Sequence, residues 1–538
     1  MLSPSLRRDI ARRSRKLEAI PVLNEGSHIA VEPQRAIGQP SSPTAGSSGS
    51  LLARNTVWNF AALVAPLVAA VVATPILLRE LGTDRLGVLS LALVLIGYLG
   101  LLDLGLGRAL TQLVAAHLGT DKEEEAPLFL WTYLSVTVAV ALVGAAGLFV
   151  ASGPIANMVL SLPDSLREET TKALWVLALS MPIVIATAGL RGFLEAHQRF
   201  GLLLLVRAPL GVFTYLGPLL VIPFTRSLVA VVGMLLFGRI LGLIAHLYFC
   251  IRVSPAIRLV ARPRRDLLLR MIGFAAGTSV TNVVSPFLAY LDRFLIGAIV
   301  SAAAVAYYAV PYDVVTRFSI APVALTGVLF PAFATSFRRD IGRVNQLFMS
   351  GSKYVLLLML PITLTVISVA PDALRFWLGA DFADRSALIL QGLAVGVFVN
   401  SVAQIPFAFI QGAGRPDLTA RLHVAELIIY APVLWWLVSH WGIEGAAIAW
   451  VARVCVDTIA LLLLSQHLLP ASSRLVLRVG LPTVAGCAVL AIGLLLTASP
   501  IQVRILYLVA SSLTVGIAGW SRYLSSSERA FLSRSRRA

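Results

Sequence analysis

Four arginines lie inside long apolar stretches of this sequence, where a permanent positive charge needs a reason. They are Arg207, Arg239, Arg317 and Arg453. Placing such a charge at the centre of a bilayer costs about 2.5–3.5 kcal/mol on insertion scales, so each side chain should face protein or water. The planar guanidinium group forms bidentate, charge-assisted hydrogen bonds with phosphate. These residues therefore predict a cavity that binds an anion, and a pyrophosphate group fits that chemistry.

Arg239 is the strongest candidate for a residue of this cavity. It has no acidic residue within four positions, and His246 follows seven residues later on the same helix face. Arg453 occupies a similar depth in the equivalent apolar stretch of the second half of the chain. The sequence therefore predicts that Arg239 and Arg453 line one common cleft.

Two of the arginines have an acidic residue one helical turn away. Arg317 follows Asp313 by four residues, and Arg453 precedes Asp457 by four. Each pair lies on one helix face, so an ion pair within the helix is as good an explanation as contact with a substrate. Arg207 lies near the end of its stretch, and its side chain could instead extend to the lipid headgroups.

Glu426 lies one turn after His423 and is a candidate for coupling transport to protons or sodium ions. A neutral packing acid, or an acid paired with the histidine, explains this residue equally well. The sequence gives no catalytic residue and no metal-ligand spacing. The candidate substrate-binding residues are Arg207, Arg239, Arg317, Arg453, His246 and His423, and the candidate coupling residues are Asp313, Glu426 and Asp457.

The elements that position these residues are predicted to be membrane-spanning helices. The chain has 538 residues, of which 58% are hydrophobic and only 13% are charged. A lipid environment leaves no water for an open backbone, so spans are helices or closed barrels, and apolar runs without alternation indicate helices. We predict an all-α integral membrane protein whose fourteen spans cover residues 55–78, 86–107, 128–150, 172–191, 202–222, 227–250, 269–290, 303–334, 353–371, 386–410, 419–440, 443–466, 475–497 and 502–521.

The distribution of lysine and arginine predicts the orientation of these spans. Alternate loops hold most of the basic residues, and such loops stay in the cytoplasm during insertion. Both termini are therefore predicted to be cytoplasmic. The net charge of +17 is spread over loop ends and tails, so we interpret it as an orientation signal and not as a nucleic-acid-binding surface.

A weak internal repeat divides the spans into two halves. At an offset of 216 residues, RGFLEAHQRFG from Arg191 aligns with FAFIQGAGRPD from Phe407, which places Phe193 over Phe409. Two parallel repeats would leave a central cleft that opens to each side of the membrane in turn. The predicted parts are a disordered basic tail (1–50), a six-helix bundle (51–252), a basic linker (253–268), a second six-helix bundle (269–468), an added helix pair (469–523) and a basic tail (524–538).

Several motifs resemble one family of membrane proteins. They are LLRELGTDRLGVLSLALVLIGYLGLLDLGLGRAL in the first two spans, LDRFLIG with Tyr307 and Tyr308 further on, and WGIEGAAIAW in the second half. Together these stretches look like the bacterial polysaccharide and O-antigen lipid-carrier flippases. That group is the polysaccharide transporter family of the multidrug/oligosaccharidyl-lipid/polysaccharide exporter superfamily, and the likeness extends over about residues 51–523.

The resemblance implies a flippase of the bacterial inner membrane that moves an undecaprenyl-pyrophosphate-linked oligosaccharide for surface polysaccharide biosynthesis. It implies coupling to H⁺ or Na⁺, contact with membrane lipids, no cofactor, and pathway partners such as a polysaccharide polymerase and glycosyltransferases. A peptidoglycan-precursor flippase and a multidrug exporter of the same superfamily are alternatives. A membrane polymerase or ligase is a more distant one, because the predicted outer loops are short and the two-half repeat argues against it.

Overall fold

The computed structural model describes residues 48–99, 105–120, 123–258, 263–276, 279–337, 339–469 and 474–518. The predicted basic tails lie outside these residues, apart from 48–50 of the first, as do Asp103 of the motif above and part of the linker. The chain separates into two compact units, Met1–Trp58 and Asn59–Ala538. All side-chain contacts described below belong to the second unit.

The described residues form fifteen α-helices and no β-strand. In chain order the helices are α1 (Ser48–Leu99), α2 (Leu106–His117), α3 (Ala126–Pro154), α4 (Asp164–Ala196), α5 (Phe200–Val221), α6 (Leu228–Val253), α7 (Arg265–Ala276), α8 (Ser279–Ile299), α9 (Ala302–Thr316), α10 (Ile320–Ser336), α11 (Ile341–Leu378), α12 (Ala380–Gly412), α13 (Pro416–Leu468), α14 (Leu475–Leu495) and α15 (Ile501–Ala518).

The helices account for the predicted number of membrane spans. Ten helical segments among the described residues are long and apolar enough to cross a bilayer. Helices α1 and α13 each contain two spans, because Gly82 and Gly442 adopt non-helical backbone angles in their middles. Helices α8 and α15 supply the remaining two. The predicted all-α, multi-pass membrane fold is therefore confirmed, and the cytoplasmic position of both termini stays a prediction.

The eighth predicted span is broken. Helices α9 and α10 are separated by a short 3₁₀ turn, Arg317–Ser319, and α9 carries Pro311 within its length. A proline removes one backbone donor and loosens the helix near it. Asp313 lies in the last turn of α9, and Arg317 is the first residue of the 3₁₀ turn.

The two sets of helices have largely separate cores. Helices α8 to α15 enclose the largest core, with the fully buried rings of Tyr308, Phe348 and Phe398. Helices α1 to α6 contribute most of two smaller cores, one of which also takes in Phe382 of α12. Helix α12 is the most enclosed span, since it contacts α9, α10, α11, α13 and α14.

The predicted repeat is visible in two turns. After α4, Gln198 has a φ of 55°, and after α12, Gly414 has a φ of 77°. The amide of Arg199 donates to the carbonyl of Leu194 at 3.0 Å, and the amide of Arg415 donates to that of Ile410 at 3.1 Å. Both turns are thus Schellman caps. Every equivalent atom is offset by 216 residues, which matches the sequence alignment.

We call the end of the bundle that carries these two caps the inner end. The opposite end, which we call the outer end, carries the Gly82 and Gly442 turns and Gly379 between α11 and α12. These names follow the orientation predicted from the basic residues.

Candidate functional site

A polar cavity of about 570 Å³ lies between helices α1, α4, α5 and α6 on one side and α8 and α9 on the other. Guanidinium groups dominate its charged lining, which includes one carboxylate among the residues that the structure describes. The polar side chains that matter here are Arg191, Arg207, Arg239, Arg293, Arg317, His246, Asp313, Tyr215 and Tyr290. The cavity therefore carries a net positive charge with contributions from both halves of the chain.

Arg239 is one of the described residues that line the cavity. It lies on α6, half-buried, and lines the cavity together with Arg207 of α5. Among the residues that the structure describes, no carboxylate pairs with Arg239. Two turns further along α6, His246 is 2% exposed. Its Nδ1 lies 2.7 Å from the carbonyl oxygen of Gly242.

The ring of His246 has a defined role for each nitrogen. A carbonyl oxygen only accepts, so Nδ1 carries the proton and donates to Gly242. The buried Nε2 has no hydrogen-bond partner. A neutral imidazole held this way offers Nε2 as an acceptor, which suits a hydroxyl group of a ligand.

Arg317 does not form the ion pair with Asp313 that the four-residue spacing predicts. Its Nη2 instead donates to the hydroxyl of Tyr215 on α5 at 3.1 Å. Asp313 accepts from Nη2 of Arg293 at 2.5 Å. The 3₁₀ turn after α9 explains the difference, because it takes Arg317 out of the regular α-helix that would bring the two side chains together.

Arg453 is not among the described residues that line this cavity, which corrects the predicted common cleft with Arg239. Its Nη1 is 3.4 Å from Oε2 of Glu426, and its guanidinium lies over the ring of Tyr430 at 5.5 Å.

The expected ion pair of Arg453 with Asp457 is also wrong, since Oδ1 of Asp457 lies 3.9 Å from Nε2 of His423 instead. Glu426 is on the other leg of α13, where it can approach Arg453 across the Gly442 kink.

His423, Glu426 and Asp457 form a second, buried site. One ligand atom from each lies within 4.8 Å of the others, a spacing that could hold a cation. Oε1 of Glu426 and Oδ1 of Asp457 are buried, and neither accepts a hydrogen bond from a donor group of another residue that the structure describes. Two carboxylates beside one arginine leave an excess negative charge in this site when both are ionised, which a proton or a metal ion would neutralise.

Sequence reasoning missed Arg191 and Arg293 as cavity residues. The sequence predicts a span that ends at Arg191, whereas α4 continues to Ala196, and the access of Arg191 to the cavity depends on how α4 packs. Arg293 was placed just beyond a span predicted to end at residue 290, whereas α8 continues to Ile299. The adjacent Asp292 did not suggest a cavity position for Arg293 either. In the structure, Oδ2 of Asp292 accepts a hydrogen bond from the hydroxyl of Tyr308.

The outer end of the molecule is closed by direct contacts between the two sets of helices. The Ser161 amide donates to Gly297 at 2.9 Å, and its hydroxyl donates to Ala298 at 2.8 Å. Trp377 of α11 donates to the carbonyl of Val71 on α1 at 2.8 Å. Of the exposed arginines that line the cavity, Arg191 and Arg207 lie toward the inner ends of α4 and α5, and Arg317 lies directly after α9.

Comparisons with known proteins agree with this architecture. The model of the family described as polysaccharide biosynthesis protein matches residues 52–337. A Shigella flexneri protein named “Putative O-antigen transporter” is 29% identical over 413 residues, which cover 76% of this chain and 96% of the relative. The “Probable flippase AglR” of Haloferax volcanii is 24% identical over 412 residues, or 76% of this chain and 82% of that protein.

Two solved structures share the fold. One is an inward-facing multidrug resistance transporter of the MATE family, from the MOP superfamily. It has a TM-score of 0.66 and 14% identity, and the match covers 77% of this chain and 99% of that one. The other is the lipid II flippase MurJ in an inward closed conformation, with a TM-score of 0.66, 13% identity, and coverage of 86% and 97%.

Proposed function

Since the chain belongs to the polysaccharide biosynthesis protein family, we propose that it is a flippase for an undecaprenyl-pyrophosphate-linked oligosaccharide. It moves this lipid-linked glycan across a bacterial inner membrane by alternating access, for the synthesis of a surface polysaccharide. Residues 51–252 and 269–468 are the two bundles that move, and the cavity between them is exposed to each leaflet in turn. The proposed activity is transport of the lipid-linked glycan, without breaking a covalent bond.

The charge of the cavity carries this proposal. Five guanidinium groups face a space that also contains one carboxylate, and guanidinium groups are suited to two linked phosphates. Arg239 is half-buried and, among the described residues, has no carboxylate to neutralise it. A buried cation of this kind is stabilised when an anionic ligand arrives. Arg207 and Arg317 provide further phosphate contacts, and Nε2 of His246 accepts from a sugar hydroxyl.

We assign energy coupling to the second site. Binding of H⁺ or Na⁺ among His423, Glu426 and Asp457 would neutralise its excess negative charge. Arg453 is close enough to Glu426 to respond to that neutralisation, because a charged or a neutral carboxylate holds the arginine with different strength. In this proposal Arg453 acts in coupling and not in direct contact with the cargo.

The alternatives differ in their cargo. A cavity with five arginines repels the cationic drugs that many multidrug exporters carry. A peptidoglycan precursor also bears a pyrophosphate, so only a direct comparison of cargoes separates it from the proposed one. Partnership with a polymerase and glycosyltransferases follows from a role in polysaccharide assembly and is proposed with it.

The test is transport by the purified protein in vesicles, with a fluorescent polyprenyl-pyrophosphate oligosaccharide as cargo. We expect Arg239→Gln to reduce the initial rate at least tenfold, since about 1.4 kcal/mol of lost binding gives that factor. Arg375→Gln is the matched control, because Arg375 is exposed and pairs with Asp384 away from the cavity. Equal rates for wild type and Arg239→Gln would refute the proposal, and faster transport of a peptidoglycan precursor would change the assigned cargo.

A further inference from the structure

Asp313 is an unusual residue for a cavity that binds anions. It is the one carboxylate among the described lining residues, and its side chain is 53% exposed. A fixed negative charge beside the arginines repels an anionic cargo. Its position in the cavity therefore needs an explanation beyond cargo binding.

The partner of Asp313 is an arginine that cannot move easily. The side chain of Arg293 is only 3% exposed, and its guanidinium lies 5.1 Å from the ring centre of Tyr312 and 5.5 Å from that of Tyr290. Nη2 donates to Asp313 at 2.5 Å, while Nε is buried without a partner. Arg293 is thus fixed by its surroundings, and Asp313 faces the open space.

The neighbouring acid does not replace Asp313. Asp292 is completely buried, and its Oδ2 accepts from the hydroxyl of Tyr308 at 2.6 Å. Its Oδ1 accepts from the backbone amide of Arg293, not from the guanidinium group. The cavity side of the Arg293 guanidinium is therefore compensated by Asp313.

The two members of this pair have very different freedom. A buried guanidinium needs an anion next to it at all times, since leaving it unpaired is costly. Asp313 is half-exposed and lies one turn before the break between α9 and α10, so its carboxylate can turn into water at little cost. The anion beside Arg293 can therefore be exchanged while the arginine stays in place.

We propose that Asp313 is an exchangeable counter-ion that occupies Arg293 in the empty cavity and is displaced by a phosphate group of the cargo. This inference rests on the proposed function and adds a residue that sets affinity and selectivity. A ligand with one carboxylate gains little by replacing another carboxylate, whereas a pyrophosphate brings more charge and bidentate contacts. When the cargo leaves, Asp313 returns, so Arg293 never stays buried without an anion and release is favoured.

The first test is the affinity of the full-length protein for inorganic pyrophosphate, measured by calorimetry in detergent. Removing one like charge about 6 Å from the ligand, at an effective dielectric constant of about 40, should tighten binding about tenfold for each ligand charge that it repels. We expect Asp313→Asn to bind at least tenfold more tightly than wild type. Asp384→Asn, which removes an exposed acid paired with Arg375, should bind as wild type does.

The second test uses acetate, because Asp313→Asn leaves Arg293 without its anion and lowers the stability of the protein. Acetate should restore the thermal midpoint of Asp313→Asn and leave that of wild type unchanged. Asp313→Glu should need no acetate. If Asp313 has a structural role that only its own side chain can fill, acetate should not restore the thermal midpoint of Asp313→Asn.

The possible results separate this inference from the proposed function. Equal or weaker pyrophosphate binding by Asp313→Asn overturns the exchange, even when wild type binds pyrophosphate as proposed. Absence of rescue by acetate overturns it as well. If wild type binds no pyrophosphate but acetate still rescues Asp313→Asn, the proposed cargo is refuted, and the exchangeable counter-ion of Arg293 remains supported.

Discussion

Gly87 of α1 offers a direct perturbation of the closed outer end. A Cβ atom added to this glycine would lie 2.6 Å from the carbonyl carbon of Ala302, the first residue of α9, and closer still to its oxygen. Non-bonded carbon atoms are normally about 3.5–4.0 Å apart. Gly87→Ala therefore forces the two helices apart by about 1 Å at this point.

The cost of this separation can be worked out from the contacts near it. Inserting a methyl group into a well-packed contact costs about 1–3 kcal/mol. Ala302 is close to the hydrogen bonds that Ser161 makes with Gly297 and Ala298, and each lost bond adds about 0.5–1.5 kcal/mol. A total of about 3 kcal/mol shifts the equilibrium away from the outer-closed state about a hundredfold.

Distances between spin labels at the outer end measure this shift. Met158 and Phe376 are 85% and 94% exposed on opposite sets of helices, so labels at these positions should not disturb packing. In a protein without its three native cysteines, we expect Gly87→Ala to replace the short label distance by a longer one and to slow transport at least tenfold. Gly147→Ala on α3 is the control, because Gly147 is exposed, is not among the described residues that line the cavity, and a Cβ there would meet nothing within 4 Å. Unchanged distances in Gly87→Ala would show that the contact with Ala302 does not hold the outer end closed.

Two further predictions concern stability, measured as reversible unfolding in detergent. Arg453→Gln leaves Glu426 buried without its cation and should lower the free energy of unfolding by about 3 kcal/mol. The double variant Arg453→Leu with Glu426→Leu should lose clearly less stability. Equal losses in the two proteins would contradict the ion pair. Gly414→Ala should cost about 1–2 kcal/mol because its φ is 77°, while Gln198→Gly at the equivalent cap should keep or raise stability; a loss in Gln198→Gly would contradict the shared backbone geometry.

The spans were predictable because the bilayer leaves a helical chain few options. Long apolar runs must be helical in lipid. The basic residues in alternate loops predict which side of the membrane each loop faces. The predicted ends of the spans were less accurate, since α8 continues nine residues past the predicted end at 290. Because of that error, Arg293 was expected outside the membrane, and its ion pair with Asp313 was not predicted.

The partners of the charged residues were less predictable than the spans. The four-residue rule compares side chains on one straight helix, so it paired Arg453 with Asp457 and Arg317 with Asp313. In the structure Arg453 meets Glu426 across a kink, and Arg317 meets Tyr215 of another helix. Such contacts depend on packing between distant segments, which one sequence does not reveal. Arg239 was predictable because a charge with no local partner points to something outside its own helix.

The turns at Gly82, Gly379 and Gly442 have a consequence for inserting a tag at the outer end of the bundle. Their φ values are 78°, 95° and 56°, and an added Cβ at each would meet no atom within 4 Å. Glycine is needed there for the sign of the backbone angle and not for space. Each turn joins two spans in almost no chain, so a peptide tag inserted at one of them would have to unwind a hairpin of the bundle.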